Sequence, residues 1–296
     1  MLRVGLFILT NILVVATVGI ILSLLGIPMH MNQGGYSFEM LIIFCSVWGF
    51  AGSFISLAMS KFLAKRMYPM TEISENDPNY GWVAQSVSNY AKLSGIKKPE
   101  VYIYNSNEVN AFATGPSRNN SMVAVSAGLI HTMSRDEAEG VIGHEVAHIA
   151  NGDMVTMALV QGVVNAFVMI LSRLAAMAIS NAMRSEDDEG PGLGYFAQTM
   201  LVVVLDIVFG LLAMPITMWF SRFREYRADA GSARLAGREK MIAALRKLQQ
   251  STKMVDNSNP NMSAFKISSG TTMAEIFSSH PTLEKRIHAL QSRSNI

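Results

Sequence analysis

Two histidines four residues apart with a glutamate between them, in His144-Glu145-Val146-Ala147-His148, are the residues whose types and spacing could do chemistry. On a helix, positions i and i+4 share one face, so both imidazoles can converge on one ion. Imidazole nitrogen suits zinc, which has no redox chemistry and keeps a position open for the reacting molecule. Glu145, beside them, is placed to take the proton of an attacking water as general base. The chemistry this pattern serves is metal-assisted hydrolysis. A surface helix with two incidental histidines is the plain alternative. It is disfavoured because helix start, helix stop and motif phase agree. Ser134-Arg135-Asp136-Glu137 fits a capping box that opens a helix at Arg135, and Asn151-Gly152 should close it.

Two ligands do not complete a site. A carboxylate could supply the third, and Glu225 and Asp229 stand at i, i+4 in Arg224-Glu225-Tyr226-Arg227-Ala228-Asp229. One of the pair could bind the ion while the other accepts an N–H from a ligating histidine and fixes its tautomer. Spacing alone equally allows a helix-face ion pair with the neighbouring arginines.

The elements that position these residues are largely those of a membrane protein. Half of the 296 residues are hydrophobic and 16% are charged, against about 25% charged in an average globular chain. A net charge of +2 gives no strong pull toward nucleic acid, and the single cysteine, Cys45, excludes an internal disulfide framework. The 21 methionines fall mostly within apolar runs and read as packing residues.

Val4–Ile27 and Met40–Met59 are long enough to cross a hydrocarbon core of about 30 Å. Gly49 and Gly52 in the second run would let a neighbouring helix approach closely. Val155–Ile179 and Phe196–Phe220 are further spans that carry polar residues, among them Arg173 and Asp206. A carboxyl either protonated or paired with Arg173 is the plain reading of Asp206, a proton relay or a ligand the bolder one. Lys61, Lys65 and Arg66 follow the second run and Arg222, Arg224 and Arg227 the fourth, which predicts four spans with both termini cytoplasmic. Anchoring to anionic lipid head groups is the simplest role for the last three arginines.

The chain then divides into residues 1–59 with two spans, 60–154 as a first cytoplasmic part, 155–220 with two more spans, and 221–296 as a second cytoplasmic part. Pro78–Leu93 alternates as a helix does and stops at Gly95. Glu100–Asn105, Asn110–Thr114 and Ser121–Ser126 are short strands by their valine and tyrosine content. Ser251–Thr272 reads as a long mobile loop, a possible lid over the cleft. Spans three and four separate His148 from Glu225, and an even number of crossings returns the chain to the same side.

Four segments together carry a resemblance: NAFATG at Asn110–Gly115, GHEVAHIANGD at Gly143–Asp153, SRFREYRADAGSA at Ser221–Ala233, and SSHP at Ser278–Pro281. The chain resembles the HtpX group of membrane-bound zinc endopeptidases, relatives of the CAAX prenyl proteases and of the soluble gluzincins. The likeness extends over essentially the whole chain. It implies an α-helical membrane protein with a cytoplasmic α+β zincin-like domain and one zinc ion per chain. Glu225 would be the third ligand beside His144 and His148, Glu145 the general base, and Asp229 the partner of a ligand histidine. The strand of Asn110, Ala111, Phe112 and Ala113 would receive an extended substrate by β-augmentation, with Asn110 and Ala113 offering backbone or amide contacts. His280 would donate to the oxyanion, although capping of the helix begun by Pro281, or surface packing, explains it equally well.

The resemblance further implies polypeptide substrates, chiefly membrane proteins or their cytoplasmic loops, quality control under stress, and residence in the bacterial cytoplasmic membrane. Three rivals are weaker. An intramembrane protease would carry the motif in an apolar span, whereas this helix includes Arg135, Asp136, Glu137 and Glu139. A CAAX-type processing protease has more spans, enclosing a chamber. A non-enzymatic adaptor with a structural zinc would have no use for Glu145.

Overall fold

The structure, a computed structural model, describes residues 38–183, 193–258 and 278–292. The expected first span, Val4–Ile27, lies outside them. The described part is mostly helical. Helices α1 (Phe38–Met67), α5 (Asp153–Ala182) and α6 (Tyr195–Ser232) are each long and apolar enough to cross a membrane. At 1.5 Å rise, 30 residues reach about 45 Å, so these helices outrun a hydrocarbon core of about 30 Å. The described residues form two compact units. One takes in those between 38 and 56 and between 157 and 217, the other those between 57 and 156 and from 218 onward.

In the first unit, Gly49 is where α1 and α5 meet. A Cβ there would lie 2.6 Å from the backbone nitrogen of Ala166. Gly52 plays no such part, since nothing lies within 4 Å of its would-be Cβ. Arg173 Nη1 stands 3.9 Å from Asp206 Oδ1, and its guanidinium lies 5.5 Å from the Phe44 ring centroid, so the plain reading of Asp206 holds.

The second unit is built on a four-stranded sheet of β1 (Met70–Glu72), β2 (Glu100–Tyr104), β3 (Ala111–Ser117) and β4 (Asn120–Ser126). Its order is β1-β2-β4-β3, with β2 and β4 parallel and the outer pairs antiparallel. Alternation sends Val101, Val123, Val125, Ala111 and Ala113 to one face. They pack there against α2 (Gly81–Leu93) and α4 (Arg135–Asn151). Tyr102, Tyr104, Met122 and Phe112 take the other face, under Ala64 near the end of α1. Lys61 and Lys65 fasten that helix end to the sheet through Glu100, at 2.7 and 2.8 Å.

Short α3 (Ala127–Thr132) leads into α4, whose start is the expected capping box. Glu137 N–H donates to Ser134 Oγ at 3.3 Å, and Ser134 N–H donates to Glu137 Oε2 at 2.8 Å. Helix α4 is buried on most of its circumference. Ile142, Val146 and Ile149 face the sheet and α2, while Ala138 and Val141 pack with Leu129 and Met133. Its third side is nearly bare of side chains, and the chain carrying Glu225 comes close there. A Cβ on Gly231 would sit 2.5 Å from Ala147 Cβ, and one on Gly140 2.6 Å from the Lys240 carbonyl. A π-helical turn, Ala233–Gly237, joins α6 to α7 (Arg238–Ser258), and α8 (Leu283–Ser292) closes the unit.

Residues 251–258, read as loop from their Ser and Asn content, continue α7, whose opening residues Met241, Ile242 and Leu245 pack into the core with Leu290. Residues 259–272 lie outside the described part. Pro281 precedes α8 rather than occupying its first turn, and the Thr282 hydroxyl accepts the Lys285 N–H at 3.4 Å.

Candidate metal centre

Helix α4 presents His144 and His148 on one face, as the spacing demands, and α6 brings Glu225 and Asp229 opposite them. Glu225 and Asp229 are 2% and 1% exposed. Each imidazole is held through its Nδ1 by a carboxylate. His144 Nδ1 lies 2.9 Å from Asp229 Oδ1, and His148 Nδ1 lies 2.6 Å from Asp153 Oδ2. A hydrogen bond at Nδ1 leaves Nε2 as the free electron pair. The two Nε2 atoms face each other at 3.1 Å, and each stands 3.4 Å from an oxygen of Glu225.

Three electron-pair donors aimed at one another repel unless something positive sits among them. Donors about 2.0–2.1 Å from one tetrahedral ion are about 3.4 Å apart, so the separations found suit a small divalent ion. Glu225 Oε2 adds a second sign. It is buried and makes no well-aligned hydrogen bond, despite His280 Nδ1 at 3.0 Å and Arg286 Nη1 at 3.5 Å. The residues present therefore fit a metal ion.

The electrostatics agree. Burial opposes charge on His148, but Asp153 and Glu225 outweigh it and push its pKa up to about 9. His144 is likewise raised, with burial overcome by Asp229 and Glu225. Burial also works against ionising Glu225, yet the close imidazoles hold its carboxyl well below the usual carboxylate range. The metal-free cluster thus takes up protons where a cation would sit. Ion binding at pH 7 should expel protons from the imidazoles of His148 and His144, and affinity should rise with pH until both rings are neutral, for His148 at about pH 9. Calorimetry in buffers of different ionisation enthalpy measures that release; a heat independent of buffer would contradict it.

Glu145 is placed otherwise. Burial raises its pKa, and the two imidazoles and the nearby backbone amide of Ala113 only partly offset this. Ala113 belongs to β3, an edge strand of the sheet. Asn110 lies just before that strand, and its backbone is already engaged: its N–H donates to Ser126 Oγ and its carbonyl accepts the Ser126 N–H. The Phe112 ring packs with Tyr68 and Tyr104, its centroid 5.8 Å from each.

His280 joins the cluster through Glu225 with its side chain 62% exposed. It does not cap α8, a position Thr282 takes. The arginines read as lipid anchors also turn inward in part. Arg222 donates to the Ser278 carbonyl at 2.8 Å, and Arg224 reaches the Asp153 carbonyl at 3.5 Å as well as Ser221 Oγ on its own helix.

Spacing rules missed Asp153 and Arg286. Asp153 is five residues past His148, beyond Gly152, whose φ of +71° breaks helical periodicity and swings the next residue back under the ring. Arg118 fills the space where a Gly152 Cβ would lie, its Nε 2.9 Å away, and donates to the Asn151 carbonyl. Gly152→Ala should cost about 1–2 kcal/mol for the left-handed backbone and loosen Asp153 from His148. Thermal melts with and without metal would measure both effects, and an unchanged melting point would refute the argument.

Fold and site together define a membrane metalloprotease. The chain belongs to peptidase family M48, whose model matches residues 78–294. It is 51% identical over 293 residues to Protease HtpX of Shewanella oneidensis, covering 98% of this chain and 99% of that one. It is 50% identical over 294 residues to Protease HtpX of Shewanella baltica, with the same coverage. Among solved structures, the crystal structure of S. mikatae Ste24p matches with a TM-score of 0.60 over 86% of this chain. The identity is 19%, which speaks to fold alone, and this chain spans 58% of that longer one.

Proposed function

We propose that this protease is a zinc-dependent endopeptidase of the bacterial cytoplasmic membrane, with one ion per chain held by His144, His148 and Glu225. The observation that carries the reading is the convergence of three electron-pair donors, two of them imidazoles pinned at Nδ1 by Asp229 and Asp153. Bound there, zinc would supply Lewis-acid polarisation of the scissile carbonyl and acidify the attacking water.

The remaining work falls to side chains. Glu145 takes the proton of the attacking water and delivers it to the leaving amine. A carboxyl raised by burial suits both steps, being basic enough to accept and acidic enough to return the proton. The open edge of β3 receives the substrate as an added strand, and the Ala113 amide against Glu145 sets that strand beside the base. Asn110 serves through its side chain only, and Phe112 stiffens the strand from behind. His280, against Glu225 and largely open to solvent, is the donor we assign to the developing oxyanion.

Four spans with both termini cytoplasmic set this cleft at the inner leaflet, so membrane proteins and their cytoplasmic loops are the substrates, in quality control. Purified chain in detergent should cleave an unfolded polypeptide and a loop-bearing membrane protein, stop on chelation, and recover with about one equivalent of zinc. Cleavage that persists without metal would overturn the reading.

A further inference from the structure

Arg286 is 6% exposed, which is rare for arginine, and it sits on α8, far in sequence from the zinc-binding motif. Its guanidinium grips Asp229 with two hydrogen bonds, Nε to Oδ2 at 2.8 Å and Nη2 to Oδ1 at 2.6 Å. Oδ1 is also the oxygen that accepts from His144 Nδ1. Arg286 Nη2 is 3.4 Å from that nitrogen, a close contact rather than a hydrogen bond because both atoms are donors. Nη1 stands 3.5 Å from Glu225 Oε2. One side chain therefore touches a proposed ligand carboxylate, the acceptor of a proposed ligand histidine, and that histidine.

Buried carboxylates require compensation. Glu225, Asp229, Asp153 and the ionised Glu145 lie around neutral imidazoles, and a divalent ion balances only two of these four charges. Arg286 supplies a further positive charge directly against Asp229 and Glu225, and its planar fork fixes the plane of Asp229 as a single-point ammonium would not. Leu283, Ile287 and Leu290 hold α8 against Ala233, Met241, Ile242 and Leu245, so the fork is delivered by packing.

We infer that Arg286 is a positioning residue: by clamping Asp229 it fixes the tautomer and aim of His144, and the metal centre is complete only when the C-terminal helix is docked. This rests on the proposal that His144, His148 and Glu225 hold the metal.

The test uses full-length protein in detergent, with zinc affinity measured by chelator competition and the visible spectrum of the cobalt-loaded form recorded. Arg286→Ala and Arg286→Lys should each weaken zinc binding about 10–100-fold and alter the cobalt spectrum. Lysine should recover thermal stability of the metal-free protein but not affinity, because it restores charge without the fork. In an Asp229→Ala background, Arg286→Ala should weaken binding by no more than about twofold. Should the alanine variant not fold, the lysine variant carries the test alone. Wild-type affinity and spectrum in a folded Arg286 variant, or full additivity with Asp229→Ala, would overturn the inference and reduce Arg286 to a packing residue. Failure of the wild-type chain to bind zinc or cobalt would instead overturn the proposed metal site.

Discussion

Glu145→Gln should leave metal content at the wild-type level and lower peptide hydrolysis by about 10²–10⁴-fold, the range general acid–base catalysis supplies. Glutamine has nearly the same shape and keeps a polar oxygen on the side of the Ala113 amide, so the fold has no reason to change. It cannot take up a proton. Glu145 is also outside the set of converging donors, which comprises His144, His148 and Glu225. Its negative charge raises the proton affinity of His148. Removing that charge eases deprotonation of the ring, so metal retention should not suffer for that reason. Turnover of an unfolded polypeptide beside elemental analysis of the same sample checks both halves. Activity within a fewfold of wild type would remove Glu145 from the chemistry.

Glu225→Ala should be as damaging by a different route. It removes the one carboxylate among the three donors and leaves His144, His148, His280 and Arg286 around an empty space. Breaking a buried ionic cluster on one side costs about 3–5 kcal/mol. The variant should therefore lose its metal, lose activity and melt at a lower temperature. Glu225→Gln separates the effects, since it keeps the volume and a neutral oxygen. It should fold better than the alanine variant while still binding zinc at least about 100-fold more weakly than wild type. Equilibrium dialysis against zinc, with melting curves of the metal-free proteins, is the measurement. Near-normal zinc affinity in both variants would show that the third ligand lies elsewhere.

The helix of the HExxH motif was legible because every local signal agreed. Ser134 and Glu137 closed the box at one end, Gly152 took the left-handed conformation at the other, and the two histidines fell in phase between them. The short strands were legible from β-branched and aromatic content, though β3 begins at Ala111 and runs on to Ser117. Glu225 and Asp229 were visible as a pair at helical spacing, but spacing could not divide their roles. In the structure Asp229 lies on His144 Nδ1, and Glu225 lies near both Nε2 atoms.

What stayed hidden depended on backbone turns or long-range docking. Asp153 reaches His148 only because Gly152 leaves the helical path. Arg286 reaches Asp229 only because α8 packs on α7, and an amphipathic ten-residue helix gives no hint of a partner 57 positions away. Serine and asparagine content misled over residues 251–258, where an established helix carried on through weak formers. Arg222 and Arg224 looked like lipid anchors by position, and tertiary structure gave both of them protein partners, the Ser278 and Asp153 carbonyls.

The most direct test of the account is zinc stoichiometry and peptide cleavage measured together on wild type, Glu145→Gln and Glu225→Ala, purified alike in detergent. Wild type should show about one zinc with cleavage, Glu145→Gln about one zinc without cleavage, and Glu225→Ala neither. Cleavage by Glu145→Gln, or a full complement of zinc in Glu225→Ala, would contradict it.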